Sequence, residues 1–355
     1  MRRFLTSFLI LVVAVPIHAQ DTPKYAAPAD VRTSFRKLLD RPKVALDAKI
    51  TSSKSATDGT TLEHLTFASE KKLDGSIERV PTIIKIPANA KGKLPAVIVL
   101  HGTGGTAESQ MGYMNELAKR NIIAVAIDAR YHGQRSGGAK GATAYNQAIL
   151  KAWKTKTGEP MEHPFYYDTV WDLWRLVDYL ETRLDIDAKN IGMIGFSMGG
   201  IQTYLAASVD ERVKVAVPAI GVQSFRWSLE NDQWQGRART INLAHVEAAK
   251  DLGETAVNQK VCRTLWNKII PGILDDYDCP SMLRLFASRP LMILNGTKDA
   301  NCPFGGAKIA IASVERAYKE ANASDRLRVI VEEVGHTVTP TQRAASLDWF
   351  EKWLR

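Results

Sequence analysis

Cysteine is scarce in this sequence. The three residues present among 355, Cys262, Cys279 and Cys302, form no C-x-x-C pair and follow no other spacing typical of a structural metal site. A zinc scaffold is thereby excluded, and at most one disulfide within the chain is allowed. Phosphate-binding loops are missing as well. There is no G-x-x-x-x-G-K-[ST] and no G-x-G-x-x-G, which removes the common nucleotide-dependent classes. The formal charge is +9, yet the basic residues are dispersed, as at Lys71-Lys72, Lys151, Lys154, Arg237 and Arg239. Without a basic stripe interleaved with aromatics, nucleic acid is not an expected partner. One long apolar run exists, Phe4–Pro16, and it falls short of the about 20 residues that a spanning helix needs. Stable membrane insertion is not expected, and there are no repeats.

That run has a meaning of its own. Arg2 and Arg3 precede it and Ile17-His18-Ala19 closes it, the pattern of a secretory signal peptide cut after Ala19. Residues 1–19 are set apart on this reading, and a secreted or periplasmic location is expected. The remainder has the length of one large α/β domain. Its composition is ordinary, at 45% hydrophobic and 24% charged for the whole chain.

Residues 20–60 are polar and turn-rich except around Val31 to Leu39, and read as an N-terminal extension on a main domain at 61–355. Residues 61–69 and 80–87 suggest an antiparallel pair. PAVIVL (95–100) and NIIAVAI (121–127) are continuous apolar runs, as expected of strands buried on both faces. Further strands are expected at 190–196, 213–218, 290–295 and 327–334. Helical patterns lie between them, at 107–120, from Met198 onward and at 344–354. Before the 190–196 strand, Val170, Leu173, Trp174, Val177, Leu180 and Leu184 recur every three or four residues as one apolar helical stripe. This alternation predicts an α/β fold with a mostly parallel central sheet and helices on both faces. The rhythm lapses at about 222–288, which reads as a helical cap inserted over the sheet's C-terminal edge.

The chemistry gathers where strands end. Gly195-Phe196-Ser197-Met198-Gly199 is a G-x-S-x-G sequence between a buried strand and a helix, the setting of a nucleophile elbow. Such a turn needs glycines because side chains there would strike adjacent backbone. A serine hydroxyl needs a base, and in chain order an acid and then a histidine should follow. Asp299, in NGTKDANCP, and His336, in VGHT, each leave a late strand at the same sheet edge as Ser197. The catalytic residues expected are therefore Ser197, Asp299 and His336. An oxyanion hole is expected from the backbone N–H of Met198 and that of Thr103 in LHGTGG. His101, Tyr131 and His132 are candidates for the substrate pocket. Asp128 and Arg130 read as a salt-bridged scaffold, and Cys302 as a disulfide partner or buried thiol without a dedicated base.

LHGTGG, IDARYHGQRS, GFSMGG, NGTKDANCP and VGHT occur in that order. With them the chain resembles the α/β-hydrolase superfamily over roughly residues 60–355. The D-x-R-x-H-G segment and the helix YxxVWDLWRLVDYLETR are similar to secreted dienelactone-hydrolase-like and acetyl-xylan-esterase-like members. They are similar also to the catalytic domain of prolyl-oligopeptidase-type enzymes, although the chain is too short to carry the propeller of that group. Serine stands where dienelactone hydrolases proper have cysteine. The resemblance implies a serine carboxylic-ester hydrolase needing no metal or organic cofactor, acting on a small-molecule or polysaccharide ester such as an acetyl or feruloyl ester. A secreted serine peptidase for short peptides, and a non-catalytic binding protein on the same scaffold, are the alternatives.

Overall fold

The structure, a computed structural model, describes residues 24–88 and 90–355. The expected signal peptide and its cut after Ala19 lie outside the described residues. The strands are β1 (Lys49–Ser55), β2 (Thr61–Lys71), β3 (Ile77–Ile86), β4 (Leu94–Leu100), β5 (Ile123–Ile127), β6 (Ile186–Phe196), β7 (Val213–Ala219), β8 (Leu291–Gly296) and β9 (Leu327–Glu332). They form one sheet in the order β1-β2-β3-β5-β4-β6-β7-β8-β9. Pairings from β1 through β3 to β5 are antiparallel, and all those from β5 to β9 are parallel. The sheet thus begins at Lys49, inside the stretch read as an extension.

The helices are α1 (Pro28–Leu39), α2 (Met111–Lys119), α3 (Thr143–Lys154), α4 (Tyr167–Thr182), α5 (Met198–Val209), α6 (Phe225–Glu230), α7 (Gln235–Thr240), α8 (Asn242–Asp251), α9 (Gln259–Ile269), α10 (Cys279–Arg284), α11 (Phe304–Glu320) and α12 (Pro340–Trp353). Strand periodicity divides the core in two. Ala96 and Ile98 of β4 join one cluster with α1, α4 and α5, while Val97 and Val99 join a second with α2 and α12. Burial on both faces is why these strands read as unbroken apolar runs.

Several details differ from the sequence expectation. Leu184 is 88% exposed. The α4 stripe stops at Leu180, because Arg183 is already extended and the helix has ended. The 222–288 interval does hold five helices, α6 to α10. These helices pack on the rest of the domain, α8 and α9 against α3, and α10 against α5, α11 and α1. Of its tryptophans, Trp266 is fully buried, and its Nε1 donates to His245 Nε2 at 3.0 Å. Cys262, Cys279 and Cys302 are all buried and unpaired. Among the described residues no helix is long and apolar enough to cross a membrane.

Candidate active site

Six loops leave the sheet at one edge. They follow β4 to β9, and the register brings them level: Leu100 pairs with Gly195, Phe196 with Ala219, and Gly296 with Glu332. Parallel strands oblige every such loop to emerge on the same side, so residues remote in sequence meet there.

Ser197 stands at the sharpest of these turns, with φ +57° and ψ −112°. A non-glycine residue in that region stores about 1–3 kcal/mol of strain. The surroundings hold it there. Its N–H donates to the Ala219 carbonyl at 3.0 Å and its own carbonyl accepts from Ile201 at 3.0 Å. The flanking glycines are steric necessities. A Cβ on Gly195 would collide with the Gly199 carbonyl, one on Gly199 would lie 2.6 Å from the Leu100 carbonyl oxygen, and one on Gly200 2.5 Å from that of Ala219.

A hydrogen-bonded series runs from the serine. Ser197 Oγ lies 2.7 Å from His336 Nε2, and His336 Nδ1 lies 2.7 Å from Asp299 Oδ2. A carboxylate offers no proton, so Nδ1 carries the hydrogen and Nε2 is left to accept from the serine hydroxyl. The other Asp299 oxygen accepts from the backbone N–H of Asn301 at 2.8 Å and of Cys302 at 2.9 Å. Asp299 is buried, whereas the His336 side chain is 25% exposed and Ser197 half-buried. The end of the series therefore faces solvent while its base is enclosed.

The loop after β4 lies beside the serine. A Cβ on Gly102 would be 3.5 Å from Ser197 Cβ. Among the described residues, no hydrogen bond occupies the backbone N–H of Met198, the first residue of α5, or of Thr103. The N-terminus of α5 adds the positive end of its dipole.

Of the three expected pocket residues, two turn inward. His101 and His132 are buried and spend ring nitrogens on backbone. His101 Nε2 accepts from the Ala129 N–H at 3.1 Å, so its Nδ1 donates to the Gly102 carbonyl at 2.8 Å. His132 Nδ1 lies 2.9 Å from the Arg130 carbonyl. Burial lowers the pKa of both, His132 to about 4. They brace the loops after β4 and β5 rather than line a pocket. Sequence could not separate these roles, because a loop histidine looks the same whether it turns inward or outward. Tyr131 is half-buried, its hydroxyl donates to Glu162, and it lines a groove of about 360 Å³ with Lys72, Arg79 and Arg135.

Asp128 and Arg130 are scaffold. Asp128 accepts from the N–H groups of Ala107 at 2.8 Å and Gln134 at 3.0 Å. Arg130 is buried against Asp172 of α4, at 2.7 and 2.9 Å, and Glu70 of β2. Asp299, Cys302 and His336 bring a carboxylate, a thiol and an imidazole within 4.8 Å. Those groups are not free for a metal. Asp299 and His336 hold each other, and Cys302 Sγ donates to the Ile220 carbonyl at 3.1 Å while burial lifts its pKa to about 12.

Comparison with known proteins agrees with this architecture. The dienelactone hydrolase family model matches residues 80–256. The "Putative hydrolase YtaP" of Bacillus subtilis (strain 168) is 24% identical over 290 residues, covering 78% of this chain and 84% of that protein. Acetyl xylan esterase 1 from Thermoanaerobacterium sp. JW/SL YS485 superposes with a TM-score of 0.67 at 17% identity, over 94% of this chain and 96% of that one. A glucuronoyl esterase from Solibacter usitatus gives 0.61 at 15% identity, over 91% of each chain. With its mostly parallel sheet, its serine elbow and this family match, the chain carries a dienelactone hydrolase family domain and has the α/β-hydrolase fold.

Proposed function

We propose that this protein is a serine esterase that cleaves carboxylic esters through an acyl-enzyme. The observation that carries the reading is the hydrogen-bonded series Ser197–His336–Asp299 at a strained, solvent-facing elbow. His336 Nε2 takes the Ser197 proton as Oγ attacks the ester carbonyl, and the tetrahedral oxyanion rests on the N–H groups of Met198 and Thr103. Collapse expels the alcohol, which receives its proton from His336. Water then repeats the sequence on the acyl-enzyme and frees the acid. Asp299 keeps His336 in the accepting tautomer and offsets the charge of its imidazolium.

An external polysaccharide ester, acetyl above all, is the substrate class favoured. The half-exposed serine suits a small acyl group carried on a bulky alcohol. Similarity in fold to an acetyl xylan esterase and the basic, apolar N-terminus that suggests export point the same way. Acetylated xylan, feruloyl esters, p-nitrophenyl acetate and peptide p-nitroanilides should be assayed with wild type and Ser197→Ala. Acetyl esters are expected to turn over fastest, and Ser197→Ala to lose all but background activity. Wild-type rates in the variant would end the assignment, and faster peptide cleavage would make the protein a peptidase.

A further inference from the structure

Arg237 is 1% exposed, and among the described residues it forms no salt bridge. Its Nε has no partner at all. A buried cation without a carboxylate is costly and needs an explanation. Its remaining contacts supply one. One terminal nitrogen donates to the Asn301 carbonyl at 3.1 Å and approaches Cys302 Sγ at 3.4 Å; the other approaches the Tyr166 hydroxyl at 3.3 Å. Asn301 and Cys302 are the residues whose backbone N–H groups hold Asp299 Oδ1. Arg237 thus grips, from the far side, the turn that holds the catalytic acid.

The preceding residue makes an independent contact with the same loop. A Cβ on Gly236 would collide with the Ala300 carbonyl, so α7 rests on the acid loop at a distance that only glycine permits. Resting on the esterase reading above, we propose that Gly236 and Arg237 of the insertion position the Asp299 loop, and that the buried Arg237 charge stands behind the Asp299 carboxylate that orients His336. The insertion would then be part of the catalytic apparatus, reaching the chemistry through backbone rather than through substrate. Arg237 is a positioning residue here, since it touches neither substrate nor reacting atoms.

Electrostatics provides a readout that packing alone would not move. Arg237 stands behind the Asp299 that faces His336, and removing its positive charge there would make protonation of the ring easier. The other titratable groups around this charge are Tyr166 before α4, Tyr204 on α5, Cys302 on the acid loop and Asp299 itself. His336 approaches from the loop after β9, and the exposed Lys298–Glu333 pair lies beside both loops.

The test uses the full chain and p-nitrophenyl acetate. Arg237→Met is expected to lower kcat at least tenfold with KM changed less than twofold, and to move the acid limb of the kcat/KM profile upward by about half a pH unit or more. Arg237→Lys should leave that limb near its wild-type position. Wild-type kcat in Arg237→Met, or a lower kcat with an unmoved limb, would overturn the proposal. Should Arg237→Met show no cooperative melt, Gly236→Ala decides: a tenfold fall in kcat with the fold intact supports the clamp, and unchanged kcat removes it. Failure of the esterase reading is seen separately. In that case the wild type resists a fluorophosphonate probe at Ser197, whereas failure of the clamp leaves wild-type labelling intact.

Discussion

Ser197 shows how much one residue owes to its neighbours. Its backbone is held in a region that L-residues avoid, by two hydrogen bonds and by glycines whose missing side chains make room for it. In the proposed mechanism Asp299 acts through the tautomer it imposes on His336, and Asp299→Asn isolates that effect. The amide oxygen would keep the Asn301 and Cys302 N–H groups, turning the NH2 toward His336 Nδ1. The imidazole proton would then sit on Nε2 and face the serine as a donor. A kcat loss on the order of 10⁴-fold with a near-wild-type melting temperature is expected, measured on p-nitrophenyl acetate. A loss under tenfold would show that Asp299 does not set the tautomer. At this scale the chemistry-bearing residues are readable in sequence, because glycines and strand ends mark them. The inward turn of His101 and His132 is not, because nothing local distinguishes a ring that braces backbone from one that meets substrate.

At the scale of elements, α4 is the member that most contradicts its surface appearance. Asp168, Asp172 and Arg175 lie on other faces than the apolar stripe, yet all three are buried. The two aspartates are matched from other elements, as Arg130 and Arg135 meet Asp172 and Arg41 meets Asp168 and Glu70, whereas Arg175 pairs with Asp178 of α4 itself. Ser69 of β2 also donates to Asp172. The network joins α4, β2 and the loop after β5. Asp172→Asn would leave two buried guanidinium groups undercompensated, and should destabilise the protein by about 3–5 kcal/mol in urea unfolding. A loss below about 1 kcal/mol would mean that the network contributes specificity rather than stability. Such pairings escape sequence reading because Glu70 and Arg130 are 60 residues apart.

Across the whole molecule, buried titratable groups set the response to acid. Burial lowers His132 and His245 to about 4, below the ordinary 6.5. Between those values the unfolded chain binds more protons, so stability is complete above pH 6.5 and falls as the pH drops toward 4. Each contributes roughly 3 kcal/mol over that window. Asp278 opposes them. Burial raises its carboxyl to about 7 despite hydrogen bonds from Ser224, Phe225 and Cys279, so its contribution is present below pH 4 and is lost as the pH rises through 7. Its share is roughly 4 kcal/mol against roughly 6 kcal/mol for the two histidines, and the lowered His101 adds to their side, so stability falls on acidification from pH 7 to 4. The melting temperature should therefore fall over that range. In Asp278→Asn it should fall more steeply, with the variant gaining on the wild type at pH 7 relative to pH 4.5. Parallel curves for the two proteins would contradict the assignment to Asp278.

The mostly parallel sheet, the elbow and the strand-end loops that bear Ser197, Asp299 and His336 are legible in sequence alone. Hydrophobic periodicity and glycine placement are local signals, and parallel strands force their outgoing loops to one edge. Tertiary structure decided what no local signal carries. It set the 2.7 Å spacings of the series, turned His101 and His132 inward, and added β1 to the sheet. It also seated the buried Arg237 behind the acid loop. Each depends on contacts between residues far apart in the chain, where burial, desolvation and the fit of one backbone against another determine which arrangement is stable.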